Sequence, residues 1–465
     1  MILTAVLAAQ LAGTLEVSDT SRADARWTYP SQVFTFPRHV KVVLAADLAT
    51  IPMVRATVHS RQLALSVMYS PTITAPDVEL LEPIEVMNRG TVAAVWHDRF
   101  VTMTVSESGA YGLFNSAYLY GGQIGVGGAE AQTPAGQGTT AGQGTTGTGG
   151  TGQGATGPGS TGPGTSGPGS TALGTMTTPV ITAAAPQTIT YVSSVSNAAV
   201  TVRAAPRVTV SFSGGYMVSG GLDTGDQFYL PLQYGPFGAA AFLYRLSAHD
   251  TASTIATEQA YTTYGSCPPP LSGTFVVTPE TPYCKASATT GVLQETVRHA
   301  FSGQASLSIG AGIAVATIEP AGVEGVPGSI PDELTILPYA SATFLYRLDY
   351  RNTLLLAAQV LPTVDLRTGL PSERAQTVLT LTDALAEDLT VIATASVVQS
   401  IPIQAVDPYT ITLLTGTVEL RQRVDRQLSA LVGLSGLWQS QVGYGDVGSL
   451  VAYVGMTARL PTTRF

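Results

Sequence analysis

The chain has 465 residues, of which only 11% are Asp, Glu, Lys or Arg, against about 25% in an average soluble domain. Hydrophobic residues make up 45%, mean hydropathy is +0.24, and no stretch approaches the roughly 18 uninterrupted apolar residues of a spanning helix. An ordinary cytosolic enzyme and a helical membrane protein are both excluded. What remains is an all-β closed barrel in a membrane, since only helices and closed barrels satisfy every backbone group in lipid.

Taken in chain order, residues 1–13 (MILTAVLAAQLAG) form a signal-like apolar segment, and 14–465 reads as a single barrel. Period-2 alternation marks its strands. Leu63, Leu65, Val67, Tyr69 and Ile73 alternate with Gln62, Ser66, Ser70 and Thr72, while Val208, Val210 and Phe212 alternate with Thr209, Ser211 and Ser213. Ala305 to Val315 and Ala342 to Leu348 repeat the pattern. One face in lipid and one in water explains it. Strands are expected near 14–28, 53–59, 62–74, 90–97, 99–112, 188–203, 207–220, 236–247, 251–264, 285–298, 303–318, 337–348, 352–366, 373–385, 388–400, 409–423, 427–442 and 447–460.

Those segments make about eighteen crossings, an even number, and their connections alternate in length. His59-Ser60-Arg61, His97-Asp98 and Ala386-Glu387 are tight turns, whereas 29–52, 75–89, 113–187 and 265–284 are long. Short periplasmic turns opposite long extracellular loops are the signature of an up-and-down outer-membrane barrel. Within the longest loop, 132–175 repeats AGQGTT and TGPGS without charge or aromatic residue, a composition of flexible coil that cannot build a core.

Phe242-Leu243-Tyr244-Arg245-Leu246 followed by Thr251 matches Phe344-Leu345-Tyr346-Arg347-Leu348 followed by Thr353. In each hairpin the aromatics are expected to face lipid and the Arg the lumen. The inward charged set is therefore Arg245, Arg347, Asp349, Asp365, Glu419 and Arg421, of mixed sign. Acids concentrate in the long loops, and Arg61, Arg99, Arg203, Arg207, Arg245, Arg298, Arg347, Arg351, Arg421, Arg423 and Arg426 gather at the short-turn end. Such arginines meet lipid phosphates, dock a periplasmic protein or collect an anionic polymer. Cys267 and Cys284 bracket a Pro-rich stretch and are expected to form a disulfide in an oxidising compartment; without nearby His or further Cys they cannot complete a zinc shell.

No constellation carries chemistry. The five His are scattered, four of them at predicted turns, no nucleophile elbow accompanies His97-Asp98 or His249-Asp250, and the Gly-rich tract lacks the Lys of a phosphate loop. No metal or other cofactor and no enzymatic activity are implied. Net charge −9 without a basic stripe disfavours nucleic acid.

The C-terminal strand ends LVAYVGMTARLPTTRF. Tyr453, Gly455, Ala458, Leu460 and the final Phe465 resemble the insertion signal read by the barrel-assembly machinery, with the departures that 458 and 460 are not aromatic and that four residues precede Phe465. The opening Thr14-Leu15-Glu16-Val17-Ser18-Asp19-Thr20, then Tyr69-Ser70-Pro71, Leu80-Leu81-Glu82, Ala94-Val95-Trp96-His97 and Val105-Ser106-Glu107-Ser108-Gly109-Ala110-Tyr111-Gly112 carry a wider likeness. The chain resembles the myxobacterial outer-membrane barrels of about eighteen strands. That resemblance implies an export pore for surface polysaccharide, working with a periplasmic export protein. A general solute porin and a structural barrel anchoring the Gly-rich loop are the alternatives.

Overall fold

The computed structural model describes residues 12–29, 43–75, 84–115, 188–223, 226–227, 232–266, 283–323, 333–349, 352–364, 371–402, 410–441 and 445–464. The strands are β1 Ala12–Tyr29, β2 Val43–His59, β3 Leu63–Tyr69, β4 Thr72–Ala75, β5 Glu85–His97, β6 Val101–Asn115, β7 Thr188–Ala205, β8 Val208–Gly221, β9 Leu232–Arg245 and β10 Asp250–Ser266. They continue as β11 Tyr283–Ala300, β12 Ala305–Val323, β13 Glu333–Arg347, β14 Thr353–Val364, β15 Pro371–Ala384, β16 Leu389–Pro402, β17 Ile411–Arg423, β18 Leu428–Gln441, β19 Gly445–Arg459 and β20 Thr463–Arg464. β3 and β4 are two parts of one crossing, broken where Pro71 lacks a donor, and β20 prolongs β19 along β1. Eighteen antiparallel crossings result, as the alternation implied.

Each strand pairs with its chain neighbours, and β1 pairs with both β2 and β19, closing the sheet into a barrel. Ala23, for example, stands between Leu48 and Val454. Closure removes the sheet edges that lipid could not hydrogen-bond. No helix among the described residues is long and apolar enough to cross a membrane.

Register fixes which side chains share a face. Val105, Ile309 and Val454 are 59%, 56% and 60% exposed and belong to an outward aliphatic belt. Their strand neighbours Ser106, Gly310 and Tyr453 are buried, because side chains on the concave face of a barrel crowd one another. Aromatic residues bracket the belt. Phe242, Tyr244, Phe344 and Tyr346 lie outward near the short turns; Tyr216, Tyr234 and Tyr264 stack across β8, β9 and β10 toward the long-loop end, with ring centroids 6.4 and 5.7 Å apart. The expected strands are extended mainly at that long-loop end: β2 starts at Val43 rather than 53, and β5 at Glu85 rather than 90.

Short turns are capped by their own side chains. Ser302 Oγ accepts from the Ala305 N–H at 3.1 Å, Ser247 Oγ from the Asp250 N–H at 3.0 Å, and Asp425 Oδ1 from the Leu428 N–H at 2.7 Å. Hydroxyl and carboxylate caps suit a turn that must reverse the chain in two to four residues. The Gly-rich 132–175, Asp365, Cys267, Phe465 and residues 1–11 of the signal-like segment lie outside the described residues.

Candidate functional site: the lumen wall

With no catalytic cluster to build, the candidate site is the inward face of the barrel. It presents neutral hydrogen-bonding groups from many strands: Asn197 on β7, Gln233 on β9, Gln259 on β10, Gln294 on β11, Ser435 and Gln439 on β18. Part of this capacity is unused among the described residues. Both amide atoms of Gln294, Asn197 Oδ1 and Gln376 Oε1 have no partner.

The densest charge lies at the seam where β1 meets β19. Arg22 Nε and Nη2 donate to the two oxygens of Asp24, both at 2.7 Å. The Arg22 guanidinium also sits 4.3 Å from the centre of the Tyr453 ring, a cation–π arrangement. Tyr453 Oη donates to Glu419 Oε2 at 3.2 Å, and Glu419 accepts from Arg421 through its other oxygen. One tyrosine thus couples two ion pairs across β1, β19 and β17. It lies directly over Gly433, its cross-strand partner on β18. A Cβ at 433 would stand 2.7 Å from Tyr453 Cε2 and closer still to Cζ and the hydroxyl oxygen, so only glycine leaves room for the ring.

The residues expected to line the pore divide as follows. Glu419 and Arg421 are inward and ion-paired. Arg245 and Arg347 are the last residues of β9 and β13, on the inward register at the mouth; Arg245 Nε donates to the Ser247 carbonyl at 3.1 Å. Asp349 lies beyond the wall in the turn, where its Oδ1 accepts from the Asn352 N–H at 2.8 Å. Of the insertion signal, Tyr453 and Gly455 point into the lumen and Leu460 is exposed at the strand end. The side chain of Cys284 is likewise outside what is described. Sequence reading missed Arg22, Asp24 and Arg374. Arg22 and Asp24 lie within the expected strand 14–28 and Arg374 at the start of 373–385, and only their register shows that they face inward.

The protein-family comparison decides the wider setting. Residues 151–439 match the model of the EpsX exopolysaccharide export family, well over half of the chain. The chain belongs to that family. No curated protein matches it in sequence. Among solved structures it is similar to the copper transporter OprC, at 9% identity and TM-score 0.41, covering 91% of this chain; it spans 62% of the transporter's length. It is also similar to OpdL and OpdQ of Pseudomonas aeruginosa, both at 9% identity. For OpdL the TM-score is 0.40, with 97% of this chain and 99% of that one covered; for OpdQ the values are 0.43, 97% and 98%. A closed barrel with an outward apolar belt, in this family, is an integral outer-membrane protein and forms an outer-membrane pore.

Proposed function

We propose that the pore exports a surface polysaccharide, receiving it from a periplasmic partner. The observation that carries this reading is the wall itself. Polymer passage calls for many weak hydrogen bonds in place of one deep site, because a segment bound too tightly would not move on. Inward hydroxyls that keep partial exposure, such as Thr209, Ser211, Thr257 and Ser308, supply such bonds to sugar hydroxyls. Family membership supports the same direction. Deleting the gene, quantifying cell-surface polysaccharide against a complemented strain and checking other outer-membrane proteins tests it. Loss of one polymer alone is the expected result. Unchanged polymer refutes the reading, and partner-free conductance in a bilayer then identifies a general porin.

A further inference from the structure

We propose that the periplasmic mouth is a guanidinium collar that admits an acidic saccharide, one bearing carboxylates along its chain. This rests on the export reading for its biological meaning, though not for its chemistry.

Arg203, Arg245, Arg298, Arg347 and Arg423 stand on β7, β9, β11, β13 and β17, each within two residues of its strand's short-turn end. Arg245, Arg298, Arg347 and Arg423 occupy the inward register, and Arg203 stands in the bulge between Val202 and Ala205. Four of them have neutral hydroxyls across the ladder: Thr251 lies opposite both Arg245 and Arg298, Ser308 opposite Arg298, Thr353 opposite Arg347, and Ser429 opposite Arg423, while on their other sides Arg245 adjoins Arg207 and Arg423 adjoins Asp388. The bonds these guanidiniums make go to neutral acceptors, the Ser247 carbonyl, the Pro206 carbonyl at 3.5 Å and Ser306 Oγ at 3.4 Å.

Among the described residues none of the five is in an ion pair, whereas Arg22 and Arg421 each have a carboxylate. Three acids of the same end are engaged elsewhere. Asp425 and Asp349 cap their turns, and Asp250 accepts from Ser247 and bonds His299. A ring of like charges facing one opening repels itself and stabilises nothing in the empty barrel. Its chemistry is that of anion capture, since the planar guanidinium matches a carboxylate in two-point geometry.

A second station lies farther along the wall. Arg374 on β15 is inward and 6% exposed, and its Nε and Nη1 have no partner among the described residues. A buried cation without an anion is costly. A passing carboxylate would relieve it.

The test is binding of fluorescent oligogalacturonate and of uncharged dextran of equal length to the detergent-solubilised full chain, at low and high salt. The expected result is salt-sensitive binding of oligogalacturonate only. The quadruple change Arg245→Gln, Arg298→Gln, Arg347→Gln, Arg423→Gln should weaken it by roughly tenfold or more. Thr251→Glu, one substitution set between two of the arginines, should weaken it without removing them, which covers failure of the quadruple variant to fold. Equal binding of dextran, or variants that bind as wild type, overturns the collar. Collar-dependent binding alongside unchanged polysaccharide in the deletion strain would refute export and leave the collar standing. Loss of polymer in the deletion strain with normal export by both variants would do the reverse.

Discussion

Gly433→Ala should destabilise the barrel through Tyr453, although the change adds one methyl group. The new Cβ would fall 2.7 Å from Cε2 and nearer to Cζ and Oη, where an ordinary carbon contact needs about 3.5 Å or more. The ring must therefore move by about an ångström, which breaks its 3.2 Å hydrogen bond to Glu419 and its stacking under Arg22. Overpacking costs about 1–3 kcal/mol, and a hydrogen bond to a charged acceptor about 1.5–3. Since one displacement causes both losses, they overlap, and we expect about 2–4 kcal/mol. Urea unfolding in detergent, followed by Trp fluorescence and by heat-modifiable gel mobility, measures it. In a Tyr453→Ala background G433A should cost little, because the clash then has no partner; the double-mutant cycle isolates the pair. If G433A unfolds at the wild-type midpoint, or the double variant is simply additive, Tyr453 does not fill the space over Gly433 as described.

Three further outcomes follow from facing and burial. Glu258 stands outward on β10 between Gly238 and Gly291, midway between the aromatic levels, so Glu258→Leu should raise the unfolding free energy by about 1 kcal/mol or more and the urea midpoint with it. Ile309→Arg on the same outer surface should lower stability by about 2–4 kcal/mol and reduce folded yield in membranes. Arg374→Met replaces a buried guanidinium, whose Nε and Nη1 have no partner among the described residues, with an apolar chain of similar length; it should stabilise by about 1–4 kcal/mol while weakening oligogalacturonate binding.

The crossings were legible in sequence because lipid on one side and a crowded polar lumen on the other impose alternation, as in Leu63–Tyr69 and Val208–Val218. Where those constraints end, so did legibility. β2 runs ten residues beyond its expected start, through Pro52, which pairs with Asp19 at a position where the ladder tolerates a missing donor. The first residues of β5, β9 and β13 lie beyond their expected starts at the long-loop end, although burial alternates there as it does along the crossing. Turn chemistry was clear where a Ser or Asp caps it, as at Ser302 and Asp425.

Charge was harder to read, because the same residue type does different work at different registers. Arg22 and Arg421 neutralise carboxylates and help hold the seam; Arg245 and Arg347 at the mouth have no ion pair among the described residues; Arg374 is buried with two donor atoms unmet among them. Sequence spacing places Arg245 and Arg347 beside short turns but puts Arg421 there too, and only its pairing with Glu419 sets it apart. It cannot pair Arg22 with Tyr453, which are 431 positions apart and meet only when the first strand closes on the last. That closure is what converts two local ion pairs into one network through Tyr453, and what leaves the mouth arginines as cations without anions. Folding therefore consumes the charges at the seam and leaves those at the entrance available to a passing polymer.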